Sequence, residues 1–197
     1  MKTIDFVVLI ITSICVTFLI SFIIMNFLSQ NKSKSVKQKK SIVATGSMFF
    51  FFLIYYLVIL IDVGNYTIET TWLNILLIFI GLVILIFGTF VNCVSRLSLG
   101  KNWANQIKIY EDQTLVNKGF YKLIRHPLYA SLIWMFYAGG LVFSNYILLI
   151  LNTVIFIPFM YYRAKQEETL LLSSYNEYNE YQKKIGMFFP RIRRVKL

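Results

Sequence analysis

Arg125-His126-Pro127-Leu128-Tyr129 joins the only histidine of the chain, one of its three prolines and an arginine where a polar segment turns into a long apolar run. One short apolar hairpin later come Arg163, Glu167 and Glu168. Ionisable side chains facing inward at membrane depth are costly and mark functional sites. Together these residues offer both charge signs, which suits handling of a charged molecule better than passive anchoring. Pro127 fits the first turn of a helix, where its missing N–H costs nothing. That places His126 beside free backbone N–H groups, which favour anions.

Arg163 and Glu167 are four residues apart and therefore share one helical face. The plainer alternative is a snorkelling arginine, an interfacial histidine at a helix start and an ordinary ion pair past a helix end. That alternative suits Lys165 and also Glu168, which is expected to point elsewhere. It weakens for Arg163 and Glu167, because only Ser144-Asn145 separates the two apolar runs. So short a turn sets the start of one helix and the end of the next at one depth, and His126, Tyr129, Arg163 and Glu167 then line one cavity.

The elements that must position them are membrane helices. Of 197 residues, 57% are hydrophobic and only 15% charged, against about 25% charged in soluble domains. A span of about 30 Å of hydrocarbon needs about 20 apolar residues. Residues 6–28, 42–63 and 72–94 meet that length, and the shorter runs 128–143 and 146–162 form the hairpin. The expected fold is an all-α integral membrane protein with five transmembrane helices, a C-terminal helical hairpin and cytoplasmic cofactor-binding flanks. Residues 1–94 hold the first three helices and 95–197 the catalytic region. Lys32, Lys34, Lys37, Lys39 and Lys40 follow the first run, and Arg96, Lys101, Lys108, Lys118, Lys122 and Arg125 follow the third. The other connections carry no basic residue, so the positive-inside rule puts the N-terminus outside and the C-terminus in the cytoplasm. The tail from Arg163 reads as a continued helix, with Glu167, Leu170, Leu171, Tyr175, Tyr178 and Tyr181 at spacings of three and four, ended by Gly186. Met187-Phe188-Phe189-Pro190 then folds back on the membrane face.

Several classes drop out. The net charge of +11 reflects cytoplasmic membrane flanks touching anionic lipid, not a nucleic-acid face. Cys15 and Cys93 sit inside apolar runs, and one histidine without a Cys/His cluster leaves no metal site. No dinucleotide fingerprint, phosphate loop or nucleophile elbow occurs. Gly139-Gly140 reads as a close helix contact, and Asn74, Asn92 and Asn152 as interhelical hydrogen bonds.

In the order of its motifs the chain resembles the isoprenylcysteine carboxyl methyltransferase family, whose wider relatives include phospholipid N-methyltransferases and membrane thiol methyltransferases. The similarity lies in Leu99-Gly100-Lys101-Asn102-Trp103, Thr114-Leu115-Val116, Gly119-Phe120-Tyr121, Arg125-His126-Pro127-Leu128-Tyr129, Arg163, Glu167-Glu168, Glu177-Tyr178 and Phe189-Pro190. It covers roughly the last hundred residues. The resemblance implies an S-adenosyl-L-methionine-dependent carboxyl O-methyltransferase, with the cofactor held by the last two membrane helices and their flanks. It puts Gln106, Gln113, Thr114, Leu115 and Val116 at the adenosine end, with Gln113 standing where related members carry histidine. It puts Tyr121, His126, Pro127, Leu128 and Tyr129 around the ribose and methionine portions. Glu167 would meet the amino or sulfonium end, and Arg163 the acceptor carboxylate, these two being the catalytic pair. The expected partners are the lipid bilayer and a lipophilic or small acidic acceptor, with no nucleic acid and no metal. A composition rich in Lys, Asn, Ile and Phe fits an AT-rich, bacterial genome and a bacterial cell membrane. Prenylated proteins are not expected there, so a phospholipid amine or a small thiol stays open as acceptor, although Arg163 favours an acid. The reading of a different class is a non-catalytic membrane scaffold, which would have no need of Arg163, Glu167 and His126 together.

Overall fold

The computed structural model describes residues 2–28, 35–39, 42–68, 70–102, 107–110 and 114–191. In chain order they form α1 (Lys2–Leu28), β1 (Ser35–Lys39), α2 (Ile42–Leu60), α3 (Thr71–Leu99), β2 (Ile107–Tyr110), α4 (Pro127–Val142), α5 (Tyr146–Leu151), α6 (Ile157–Leu172) and α7 (Tyr178–Lys184). A π-helical turn, Asn152–Phe156, joins α5 to α6, and 3₁₀ turns occupy Gly100–Asn102 and Gly119–Lys122.

By length and composition, three described helices can cross a membrane: Ile4–Leu28 in α1, Thr71–Leu99, and Tyr146–Leu172, in which α5, the π turn and α6 run on as one. Phe6, Leu9 and Phe18 of α1 and Phe79 and Phe90 of α3 stand exposed, as lipid-facing side chains do. The chain is an integral membrane protein. The expected run 42–63 appears as the shorter α2, and 128–143 as α4, whose 16 residues rise about 24 Å.

Three expectations need correction. The all-α reading missed a two-stranded antiparallel ribbon, in which Lys37 pairs with Ile109 and Lys39 with Ile107. Strands this short carry too few residues for an alternating pattern to show. The last long helix does not continue through Tyr181 but stops at Leu172, and α7 starts afresh at Tyr178. Ser173, Ser174 and Asn176 fill the break, residue types whose side chains compete with helical backbone bonds. The third correction, at Glu168, concerns the site. The π turn was also unforeseen, and its cause is Pro158. Proline lacks the N–H that an α-helix would use and crowds the carbonyl four residues back. The chain answers with a wider turn, Ile157 N–H bonding to Asn152 O.

The hairpin is pinned at both ends of its turn. Ser144 takes a left-handed φ of 47°, and Asn145 caps α5 by accepting from Leu148 N–H at 3.1 Å. The Asn145 amide also donates to Val63 O and to Asn65 Oδ1, both at 2.8 Å. The turn is therefore docked onto the connection after α2. Asn92 Nδ2 donates to Ser131 Oγ at 2.8 Å between α3 and α4, and Asn152 Nδ2 to Ile133 O at 3.0 Å between the hairpin arms. Ser144 Oγ meets Asn74 Oδ1 at 3.2 Å. Asn92 and Asn152 make the interhelical bonds expected of them, whereas Asn74 meets the hairpin turn.

An aromatic core of Phe51, Tyr55, Phe136 and Phe156 joins α2 to both arms. Tyr55 OH donates to Phe136 O at 2.7 Å, and a Cβ on Gly139 would collide with that hydroxyl. Gly139→Ala should therefore cost about 1–3 kcal/mol, the usual range for overpacking a core. Tyr55→Phe in the same chain should recover most of it. Thermal unfolding of both variants in detergent micelles checks this, and a double variant no more stable than Gly139→Ala would refute the clash.

Candidate functional site

The site forms where the N-terminus of α4, the middle of α6 and the strap after α7 converge. Pro127 occupies the first turn of α4, with His126 as its N-cap making no side-chain capping bond. The backbone N–H groups of Arg125 and His126 instead donate to Gly186 O (2.8 Å) and Met187 O (3.1 Å). These bonds lay the strap beside the Arg125-His126 segment, with Ile124 and Gly186 forming a single parallel bridge. Phe188 closes over the imidazole edge-on, ring centroids 6.2 Å apart.

Tyr129 is the hub. Its hydroxyl donates to Glu167 Oε2 at 2.9 Å and accepts from Arg163 Nε at 3.2 Å. Arg163 and Glu167, which share a helix face, are thus linked through a phenol on the neighbouring arm. The His126 ring stacks parallel on Tyr129 at 5.5 Å, and its Nδ1 lies 3.7 Å from Glu167 Oε2. Arg163 is buried and also donates from Nη1 to Met48 Sδ at 3.4 Å. α2 therefore borders the guanidinium, although nothing in its sequence announced it.

Glu168 does not point away, as its spacing suggested. It is 1% exposed. Its Oε1 receives Arg125 Nε and Nη2, both at 2.7 Å, and lies 3.2 Å from His126 Nε2. Its Oε2 receives Gln182 Nε2 at 2.9 Å. Arg125 Nη1 continues to the carbonyls of Gln182 (3.1 Å) and Ile185. Adjacent residues on a helix lie about 100° apart, but α6 is flanked by α4 on one side and the strap on the other. The Glu168 face is interior and the Glu167 face partly covered, and His126 lies between the two carboxylates.

Tyr121 is buried behind this cluster. Burial, with the Glu167 charge adding to it, pushes its phenol well above the ordinary range. Burial likewise raises Tyr178, and lifts Tyr181 to about 12. These hydroxyls stay protonated at neutral pH, and that of Tyr181 donates to Tyr121 O at 2.6 Å. Arg96, read from sequence only as a topology marker, is buried, with Nε on Asn92 Oδ1 at 2.8 Å. Its charge is felt at Tyr121.

Of the other sequence-predicted residues, Pro127 is fully buried and Leu128 half-buried on the first turn of α4. Thr114 is exposed, its carbonyl accepting from Asn102 Nδ2 at 3.1 Å, while Leu115 and Val116 are half-buried. Gln106 and Gln113 lie outside the described residues. β2, between them, packs against α6.

The sequence profile of the isoprenylcysteine carboxyl methyltransferase family matches residues 79–173. That match spans just under half of the 197 residues. A protein-S-isoprenylcysteine O-methyltransferase of Xenopus laevis is 31% identical over 147 residues, covering 68% of this chain and 49% of that protein. A cobalt-zinc-cadmium resistance protein of Cupriavidus metallidurans is 31% identical over 134 residues, covering 66% and 56%. The solved structure of the eukaryotic intramembrane Ras methyltransferase, itself an isoprenylcysteine carboxyl methyltransferase, matches with TM-score 0.56 and 26% identity over 76% of this chain and 52% of that one. The chain spans about half the length of these isoprenylcysteine methyltransferases. The family segment contains the histidine, both carboxylates and both arginines of the cluster, while α2, α7 and the strap that complete it lie outside.

Proposed function

We propose that the chain is a membrane-embedded methyltransferase that takes its methyl group from S-adenosyl-L-methionine and passes it to a carboxylate on a lipophilic or small acidic acceptor. The observation that carries this is the Tyr129 hydroxyl holding a carboxylate and a guanidinium together, in a segment of this family. The methyltransferase names of the Xenopus laevis relative and of the matched structure support it.

The residues fit such a cofactor. Its ammonium and sulfonium call for a carboxylate, and Glu167 is the one left 37% exposed. Its own carboxylate calls for donors, and the uncapped N-terminus of α4 offers backbone N–H groups. Thr114, Leu115 and Val116, with Gln106 and Gln113, are assigned to the adenosine end. Tyr121, His126, Pro127, Leu128 and Tyr129 are assigned to the ribose and methionine portions. When bound, S-adenosyl-L-methionine supplies a methyl group on a positively charged sulfur, which leaves by in-line displacement as a neutral thioether.

The residues need to align and to exclude water more than to remove a proton. Arg163, steered by Tyr129 and Met48, orients an acceptor carboxylate through paired N–H bonds. Phe188 and the strap shield the imidazole side from water. An acceptor with a lipid tail would approach between α2 and α6, beside Met48.

Arg163→Lys should raise KM for the acceptor about tenfold, because one ammonium replaces a two-pronged fork at a cost near 1.4 kcal/mol. Affinity for S-adenosylhomocysteine, the demethylated product, should hold. A KM unchanged in Arg163→Lys would remove Arg163 from the acceptor site. Transfer of a tritiated methyl group into a membrane extract tests the acceptor class. Base-labile methanol marks a carboxyl ester, whereas stable label in phospholipid or a volatile thioether overturns the acid assignment.

We infer five crossings, with the N-terminus outside and the cofactor flanks in the cytoplasm. The placement of lysine and arginine supports this, as does docking of the hairpin turn against the α2–α3 connection on the opposite side from the charged cluster. On this reading residues 1–94 form the scaffold and 95–197 the catalytic region. A C-terminal tag cleaved by protease added outside sealed cells would refute it.

A further inference from the structure

Arg163 and Glu167 stand four residues apart on α6, the spacing at which opposite charges on a helix pair with each other. In the structure the two are not joined directly. The Tyr129 hydroxyl lies between them, donating to Glu167 Oε2 at 2.9 Å and accepting from Arg163 Nε at 3.2 Å. The spacer comes from another element, since Tyr129 belongs to the first turn of α4. Its ring is held by the parallel His126 imidazole at 5.5 Å and by the Arg163 guanidinium, whose carbon lies 5.9 Å from the ring centroid, a cation–π distance. On the α2 side, Met48 Sδ accepts from Arg163 Nη1 at 3.4 Å.

A direct Arg163–Glu167 pair would commit the carboxylate to its own helix. The Glu167 side chain is 37% exposed, and a partly covered pair is screened less than one in open solvent. A cation arriving from outside would first have to displace the guanidinium. A hydroxyl is neutral, so it satisfies one lone pair of the carboxylate and leaves the charge in place.

We propose that Tyr129 is a positioning residue whose hydroxyl is a spacer between Arg163 and Glu167, so that Glu167 stays open to the cationic group of a ligand. The binding test of this role rests on the cofactor reading above, and the structural test does not.

Tyr129→Phe keeps the ring and removes the spacer. Its affinity for S-adenosylhomocysteine should fall about tenfold or more, the loss of one hydrogen bond to a charged group, because Arg163 closes on Glu167. Methylthioadenosine, which lacks the amino-acid end and its ammonium, should bind Tyr129→Phe as it binds wild type. Arg163→Gln alone should leave S-adenosylhomocysteine affinity within about twofold of wild type. Added to Tyr129→Phe, it should restore that affinity to within about threefold, because the competing guanidinium is gone. A double variant as weak as Tyr129→Phe, or equal losses for both ligands, overturns the proposal. A tyrosine that merely supports the pocket is not rescued by deleting an arginine.

A crystal structure of ligand-free Tyr129→Phe gives the second readout. An Arg163 nitrogen should lie within about 4 Å of a Glu167 oxygen, the reach of an ion pair, and the two still apart overturns the proposal. If Tyr129→Phe does not fold, Tyr129→Leu, which also lacks the hydroxyl, is read in the same way. Wild-type protein that binds neither ligand refutes the cofactor reading, and the crystal structure then decides the role of Tyr129.

Discussion

Glu167→Ala should weaken S-adenosylhomocysteine binding by about ten- to a hundredfold, the loss expected for one hydrogen bond to a charged group, about 1.5–3 kcal/mol. Glu167 is the carboxylate of the site with solvent access. Glu168 next to it is already committed to Arg125, His126 and Gln182 and is no substitute. The loss should be confined to the amino-acid end of the ligand, so methylthioadenosine should bind Glu167→Ala as it binds wild type. Glu167→Gln separates charge from geometry. It keeps an acceptor for the Tyr129 hydroxyl, which receives Arg163 Nε in turn, and its affinity should fall between the two. Calorimetric titration of detergent-solubilised protein measures all three. Undiminished S-adenosylhomocysteine affinity in a folded Glu167→Ala protein would remove Glu167 from the cofactor site.

Much of this site is legible in the sequence, because the turn at Ser144-Asn145 is so short. Two helices joined by two residues must be antiparallel and level, so Arg125-His126-Pro127-Leu128-Tyr129 had to face Arg163 and Glu167. The i, i+4 spacing placed Arg163 and Glu167 on one face, and the structure adds the phenol that joins them. Glu168 was misread because a helical wheel takes one buried face for granted. It cannot show that a second element, here the end of α7 from Gln182 and the strap through Met187, covers the other side. The strap itself left no signal, since one bridge and two backbone bonds impose no periodic pattern. Pro158 was a usable signal for the π turn, read only as part of an apolar run. The turn matters to the site, because it adds a residue between the capped start at Asn145 and the charged face of α6. It thereby sets which α6 side chains come level with Tyr129.

Arg125→Ala should destabilise the protein by about 3–5 kcal/mol, the cost of leaving a buried charge without its partner. Arg125 and Glu168 side chains are 8% and 2% exposed, so water cannot replace the lost bonds. The losses coincide. Glu168 keeps only His126 and Gln182, the carbonyls of Gln182 and Ile185 lose a donor, and α7 with the strap keeps the two backbone bonds, Phe188 against His126, Gln182 on Glu168 and Tyr181 on Tyr121. The first consequence is local opening of α7 and the strap, which frees the backbone at the already exposed Lys183 and Lys184 for cleavage by trypsin well below the melting temperature. Arg125→Lys should fall in between, because one ammonium cannot reach the carboxylate and both carbonyls in the geometry of a guanidinium fork. High salt should change little, as a pair this buried is poorly screened. Tryptic cleavage at Lys183 and Lys184 as slow in Arg125→Ala as in wild type, with an unshifted unfolding midpoint, would show that the strap stands without the clamp. Retained affinity with rapid cleavage would show instead that the strap shields the site without shaping it. The prediction therefore also separates the stability role of Arg125 from the binding role of the histidine beside it.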